Sequence, residues 1–222
     1  MDFTLFDAIT FFIFIISLTV YFQKPTPQYL KLFPFYFMGV IASGIYGEWL
    51  NNNHQYNTGI GNVWSIIEFC FYFLVLREII VNIKIRRILI VFIILFAGFA
   101  FFNLLFIQQK VGSNVVNNSV GSLITVIFSI YYFMELFQKK EVQSLSTLPA
   151  FWIVSAILFN EVLSYPAYVM GSFMETMDKS NYQKYAIIFN NLGLIFYIVL
   201  ILTAILYSIG FLCRIRIRKS TL

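Results

Sequence analysis

The fourth apolar stretch of the chain, residues 88–107, reads ILIVFIILFAGFAFFNLLFI. It carries no charged residue, and at about 1.5 Å of rise per residue a helix of this length spans about 30 Å. This is the thickness of the hydrocarbon core of a bilayer, where only a helix or a closed barrel satisfies the backbone hydrogen bonds. The stretch therefore predicts a transmembrane helix.

Six further stretches have the same character. Of all 222 residues, 60% are hydrophobic and 11% are charged, whereas soluble domains carry roughly 25% charged residues. We therefore predict one all-helical, polytopic membrane domain over residues 1–222, a bundle of seven transmembrane helices. The predicted spans are residues 3–22, 29–50, 63–81, 88–107, 119–137, 148–172 and 185–213.

The basic residues predict how the bundle is oriented. Twelve of the 15 lysines and arginines fall on one side of the predicted spans, and the other three are Lys110, Lys179 and Lys184. Because positively charged segments stay in the cytoplasm, the N-terminus is predicted outside and the C-terminus inside. The net charge of +5 then reflects orientation, so the expected partner is the lipid bilayer and not nucleic acid.

An internal similarity predicts a repeat. A shift of 115 residues pairs Ile9 and Thr10 with Ile124 and Thr125, and the tripeptide FQK occurs at 22–24 and again at 137–139. These matches align the first two spans with the fifth and sixth. They predict a parallel arrangement of three helices, a linker helix and three more, as in SWEET transporters. Chance similarity in a chain rich in Phe, Ile and Tyr is the alternative.

Polar side chains of several spans are predicted at one depth. Counting from the helix ends places Glu161 about 20 Å from the cytoplasmic side and Glu68 and Asn190 about 22 Å from it. Asn191 belongs to nearly the same layer, and Glu48 belongs to its outer rim. No Lys or Arg lies deep in any predicted span, so these acids must share protons, accept hydrogen bonds or bind a cation.

This layer predicts an outward-facing pocket lined by Glu68, Glu161, Asn190 and Tyr165. Pro166 is predicted to kink its helix beside Glu161, because proline removes one backbone hydrogen bond. The predicted ligand is a small molecule or a proton. The alternative is that the polar residues only hold helices together, at about 1 kcal/mol each.

Two stripes of small residues predict close packing between helices. One consists of Gly39, Ser43 and Gly47 on the second span. The other lies on the fifth span and consists of Ser119, Ser122, Thr125 and Ser129.

Catalysis has no support in the sequence. The chain has one histidine, His54, in a predicted external loop, and its two cysteines, Cys70 and Cys213, lie in different surroundings. Metal-dependent membrane hydrolases need several histidine ligands. A retinal protein would need a lysine in the middle of the seventh span, but Lys184 precedes that span. We therefore predict no enzyme, no metal and no cofactor.

The segment NHQYNTGIGNVWSIIEFCFYF, residues 53–73, joins an Asn-rich loop to a helix with an early glutamate. It resembles small uncharacterised bacterial membrane proteins with seven helices. The overall pattern resembles the seven-helix input modules that precede bacterial sensor kinases. The resemblance implies a bacterial inner membrane and a role in sensing. Only a short segment follows Arg214, so a sensor is expected to act through a membrane signalling partner.

Three functions follow from these patterns. The first is a sensor or receptor-like module that binds a small ligand or a proton in the outer pocket and acts through a membrane partner or a second copy. The second is a small proton- or cation-coupled transporter with the three-one-three arrangement. The third is a structural or assembly subunit in which the polar layer only packs.

Overall fold

The structure is a computed structural model that describes residues 5–22, 26–55, 58–107, 114–138, 145–175, 194 and 196–213. For residues 107, 167, 168 and 170–175, only the backbone is described. Within these ranges the regular secondary structure is entirely helical.

Seven long helices make up the described part of the chain. Helix α1 continues as a 3₁₀ turn, Thr19–Phe22, and α4 continues as a π-helical turn, Asn103–Ile107. The helices are α1 Leu5–Leu18, α2 Gln28–Asn52, α3 Thr58–Ile79, α4 Ile83–Phe102, α5 Val115–Phe137, α6 Pro149–Glu175 and α7 Phe196–Cys213.

Within the described ranges, six helical segments are long and apolar enough to cross a membrane. They comprise α1 with its 3₁₀ turn, α2, α3, α4 up to Phe106, α5 and α7. Large apolar side chains such as Ile94 and Phe106 lie exposed on the outside of the bundle. In water these faces would cost free energy, whereas in a bilayer they contact lipid. The chain is therefore a multi-pass helical membrane protein.

Helix α3 is the central element of the bundle. It packs against α2, α4, α5 and α6, while α1 packs on α2 and α5 packs on α6. Ring contacts from Phe33 to Tyr207 and Phe211 hold α7 against α2. A space remains where α1, α2, α3, α6 and α7 converge, and the candidate site lies there.

Two glycines allow large rings to approach a helix backbone. A β-carbon added at Gly121 of α5 would lie 2.5 Å from the Phe69 ring of α3. A β-carbon at Gly39 of α2 would lie 2.5 Å from the Trp64 ring of α3. Any larger residue at either position would push the ring away, so both glycines fix how closely α3 is packed.

The turn between α3 and α4 is held by a carboxylate from another helix. The backbone N–H groups of Val81 and Asn82 each donate to Glu135 of α5 at 2.8 Å. The Asn82 amide donates to the Tyr131 hydroxyl at 3.0 Å. The two bonds to Glu135 satisfy backbone donors of the turn, and one of these donors is the N-cap residue Asn82, where a helix start leaves N–H groups open.

The helices extend beyond some of the predicted spans. Helix α3 begins at Thr58, five residues before the predicted start, because a helix can continue past the apolar segment that crosses the bilayer. Helix α6 continues through Pro166 to Glu175. Of the last predicted span, residues 185–193 and 195 lie outside the described residues.

Candidate functional site

A cavity of about 1010 Å³ lies between α1, α2, α3, α6 and α7. It begins near Asn51 and Thr58, where α2 ends and α3 begins, at the same end of the bundle as the start of α1. It reaches inward to Glu68, about 15 Å further along α3. Clefts of several hundred to about 1,000 Å³ are typical of small-molecule sites.

Two tyrosines position the Glu68 carboxylate at the inner part of the cavity. The hydroxyls of Tyr36 and Tyr72 donate to Glu68 Oε1 at 2.6 and 2.7 Å. Tyr72 is one helical turn beyond Glu68 on α3, and Tyr36 reaches across from α2. Both hydrogen bonds go to Oε1, so neither occupies Oε2. The carboxylate is therefore held in place through one oxygen, and no hydrogen bond from a described residue reaches the other.

The rest of the described lining combines acidic, amide, hydroxylated and aromatic side chains with aliphatic residues and glycines. Asp7 and Glu48 also line the cavity, and the described lining residues include no Lys, Arg or His. Asn51 and Asn160 contribute amides. The aromatic lining residues are Phe6, Tyr36, Phe37, Trp64, Tyr72, Phe196, Tyr197 and Tyr207. The cavity is thus electronegative, with large ring surfaces.

A layer of rings lies beneath the cavity, toward the opposite end of the bundle. The Phe33 ring centroid lies 5.1 Å from that of Phe71 and 5.4 Å from those of Tyr207 and Phe211. Phe33 and Phe211 are fully buried and do not line the cavity, whereas Tyr207 does. This ring layer, Phe33, Phe71, Tyr207 and Phe211, forms the floor.

The Tyr207 hydroxyl adds a polar group to this floor. The residue is 5% exposed. Its hydroxyl lies beside that of Tyr72, without a hydrogen bond of normal geometry to the described residues. Because this oxygen is buried, the neighbour of the Tyr207 hydroxyl is Tyr72 and not the open space of the cavity.

Glu161 lies behind the cavity wall. It is 2% exposed and does not line the cavity. Its Oε2 accepts a hydrogen bond from the Ser122 hydroxyl at 2.5 Å, and its Oε1 accepts one from the Asn160 amide at 3.1 Å. Asn160 does line the cavity, and Glu161 is within electrostatic range of Glu68. Asn160 therefore connects the cavity to a second, enclosed carboxyl group.

The other predicted site residues are distributed differently. Glu48 lines the cavity near its mouth, so Glu48 and Glu68 line the same cavity at opposite ends. Tyr165 is 42% exposed and is not part of the lining, and Pro166 beside it is also exposed. Asn190 and Asn191 lie outside the described residues.

Sequence reasoning missed several partners of the two carboxyl groups. Tyr36 was not identified, although a tyrosine within an apolar span needs a partner for its hydroxyl. Ser122 was assigned only to a small-residue stripe, and Asn160 was overlooked beside Glu161. These pairings depend on how helices face one another, which residue spacing along one helix does not give.

The described residues contain no group of three or more His, Cys, Asp and Glu side chains placed to hold a metal ion. The side chains that line the cavity offer hydrogen bonds, negative charge and ring surfaces to a ligand.

Comparison with known proteins adds no assignment. No family model, no curated protein and no solved structure matches the chain. The functional conclusion rests on the geometry of the cavity.

Proposed function

We propose that this protein is a receptor or sensor of the bacterial inner membrane that binds a small ligand in the cavity and acts through a membrane partner. In this proposal the chain crosses the membrane seven times, with its N-terminus outside, so the cavity opens outward. The observation that carries the proposal is the fixed Glu68 carboxylate at the inner part of a cavity of ligand size.

The floor of the cavity favours a receptor over a transporter. A transporter exposes its site to the two sides of the membrane in turn, so it would have to open this floor in a second conformation. The rings of Phe33, Phe71, Tyr207 and Phe211 pack against each other directly below the site. A receptor needs access from one side only.

Helix α3 offers a route for the signal. It carries Glu68 in the cavity, and it packs against four other helices. At the opposite end, the turn that follows α3 is bonded to Glu135 of α5. A shift of α3 on ligand binding would therefore reach the surface that a membrane signalling partner, or a second copy of the chain, would contact.

Native mass spectrometry of the purified protein tests ligand binding. We would compare wild type with Ser43→Phe, which places a ring in the cavity, and with Ala42→Phe, which places the same ring on the exposed face. We expect a bound small molecule in wild type and in Ala42→Phe, and none in Ser43→Phe. The same small-molecule content in all three proteins would contradict the proposal and favour a structural or assembly subunit.

One alternative has support from a specific contact. The link from the cavity through Asn160 to the enclosed Glu161 is an arrangement that a proton- or cation-coupled transporter could use. The parallel repeat predicted from the sequence fits this alternative. Uptake of the identified compound into proteoliposomes, abolished in Ser43→Phe and retained in Ala42→Phe, would favour the transporter. A receptor would bind the compound without moving it.

A further inference from the structure

The charge of the cavity selects the sign of its ligand. Glu68 and Glu48 lie on its wall, and no basic residue lies among the described lining residues. Like charges in a site of low dielectric repel strongly, so an anionic ligand would be excluded. A cation would be attracted, and it would find Glu68 Oε2 not engaged by Tyr36 or Tyr72.

The lining of the cavity suits an organic cation better than a metal ion. Hard metal cations take six or more oxygen ligands at short distance, and the described residues offer no cluster of acids for that purpose. The cavity is instead wide and lined by many rings. An ammonium group with carbon substituents gains from both features, since rings attract cations through their faces and bury apolar groups.

Trp64 places an aromatic ring beside the Glu68 carboxylate. Trp64 and Glu68 are one turn apart on α3 and therefore share a face of the helix. The Trp64 ring is stacked on Tyr36, with centroids 5.8 Å apart, and its edge lies against Gly39. A cation bound to Glu68 would lie near this indole, and indole is the strongest cation–π partner among the side chains.

We infer that the cavity binds a small organic cation, an ammonium compound whose charged group sits between Glu68 and Trp64. The inference rests on the proposed function, because it requires that the cavity takes a ligand. Glu48 lies near the mouth, twelve residues beyond Tyr36 on α2 or about 18 Å along the axis. A second positive charge on an elongated ligand would be attracted there.

Titration of the full-length protein in nanodiscs tests the inference. The probes are choline, tetramethylammonium and 1,4-diaminobutane, with 3,3-dimethyl-1-butanol as the neutral compound of the same shape as choline. The readouts are tryptophan fluorescence and calorimetry. We expect at least one of the cations to bind, choline to bind about tenfold or more tightly than its neutral analogue, and the fluorescence change to disappear in Trp64→Phe.

Two carboxyl variants locate the bound charge. Glu68→Gln should weaken binding of the cation about tenfold or more, because it removes the charge and keeps the shape. Glu78→Gln is the matched control on the same helix, since Glu78 pairs with Arg77 and Arg86 at the other end. It should leave cation binding unchanged.

The outcomes separate this inference from the proposed function. If none of the three cations binds to wild type, or if choline and its neutral analogue bind equally, the inference is wrong. That comparison needs no variant, so a misfolded Glu68→Gln protein cannot obscure it. A third outcome is that the cations do not bind, but wild type retains a neutral or anionic molecule that Ser43→Phe loses. In that case the receptor function is supported and the inferred class of ligand is wrong. If both experiments are negative, both proposals fail.

Discussion

Glu68 and Glu161 occupy two regions of the bundle with opposite character. Glu68 lines the cavity, and its two tyrosine partners share a single oxygen. Glu161 is enclosed between α5 and α6, and each of its oxygens accepts a hydrogen bond. A carboxyl group with both oxygens engaged holds helices together, whereas one with a free oxygen beside a cavity is available to a ligand. The two carboxyl groups therefore differ in whether they line the cavity and in how many of their oxygens accept hydrogen bonds, more than in their depth.

The enclosed region should be the less tolerant of added volume. Gly121→Ala pushes a methyl group into the Phe69 ring, which is buried among α3, α4 and α5. We expect the free energy of unfolding to fall by about 1–3 kcal/mol, the usual cost of overpacking a core. Reversible unfolding in mixed micelles measures it. Gly98→Ala is the control, since a β-carbon there meets nothing within 4 Å; equal losses would contradict a tightly packed region around Phe69.

The hydrogen bond to Glu161 should also matter for stability. Ser122→Ala removes a donor from a buried carboxyl group and should cost about 1 kcal/mol in the same unfolding experiment. Ser129→Ala is the matched control, two turns further along α5, because its hydroxyl is buried with no hydrogen-bond partner among the described residues. That change should be neutral or slightly stabilising. If Ser129→Ala is as costly as Ser122→Ala, the bond to Glu161 contributes nothing specific.

The cavity region should lose less stability when a methyl group is added at an equally short distance from a ring. Gly39→Ala brings a methyl group as close to Trp64 as Gly121→Ala brings one to Phe69. Trp64 borders the cavity and has room to move, and alanine favours the helix by about 1 kcal/mol over glycine. We therefore expect a net loss below about 1 kcal/mol. A loss as large as that of Gly121→Ala would mean that the cavity wall is rigid.

The smallest effects are expected for the tyrosines around Glu68. Tyr36→Phe should lower the free energy of unfolding by about 0.6 kcal/mol, as for interhelical hydrogen bonds in membranes, and Tyr72→Phe, which removes a bond within α3, should cost about as much. Because both hydroxyls bind one oxygen, the double variant should lose a different amount from the sum of the singles. A double-mutant cycle measures this coupling, and strict additivity would show that the two bonds act independently.

The apolar pattern gives the helices of this protein readily. The stretch 88–107 lies in α4 and its π-helical turn because hydrocarbon leaves the backbone no other partners. Residue counting also predicts how far along its helix a side chain lies. It does not give the direction around the helix axis: Tyr165 lies one turn beyond Glu161 yet is exposed, while Glu161 is enclosed.

Contacts between helices are harder to predict than the helices themselves. The stripe Gly39, Ser43 and Gly47 predicts close packing, and Gly39 does lie against the Trp64 ring. Ser43 and Gly47 instead line the cavity, and nothing lies within 4 Å of a β-carbon at Gly47. Small residues permit either a close helix or an open space, and the neighbouring helices decide which one forms.

The bond between Glu135 and the α3–α4 turn constrains the order in which the chain can be assembled. Val81 and Asn82 are synthesised more than fifty residues before Glu135, which accepts their N–H groups. During insertion into the membrane, the hairpin of α3 and α4 therefore forms before these hydrogen bonds to Glu135 are possible. The turn gains its acceptor only when α5 has been inserted. A chain truncated before Glu135 would therefore leave the N–H groups of Val81 and Asn82 without this acceptor.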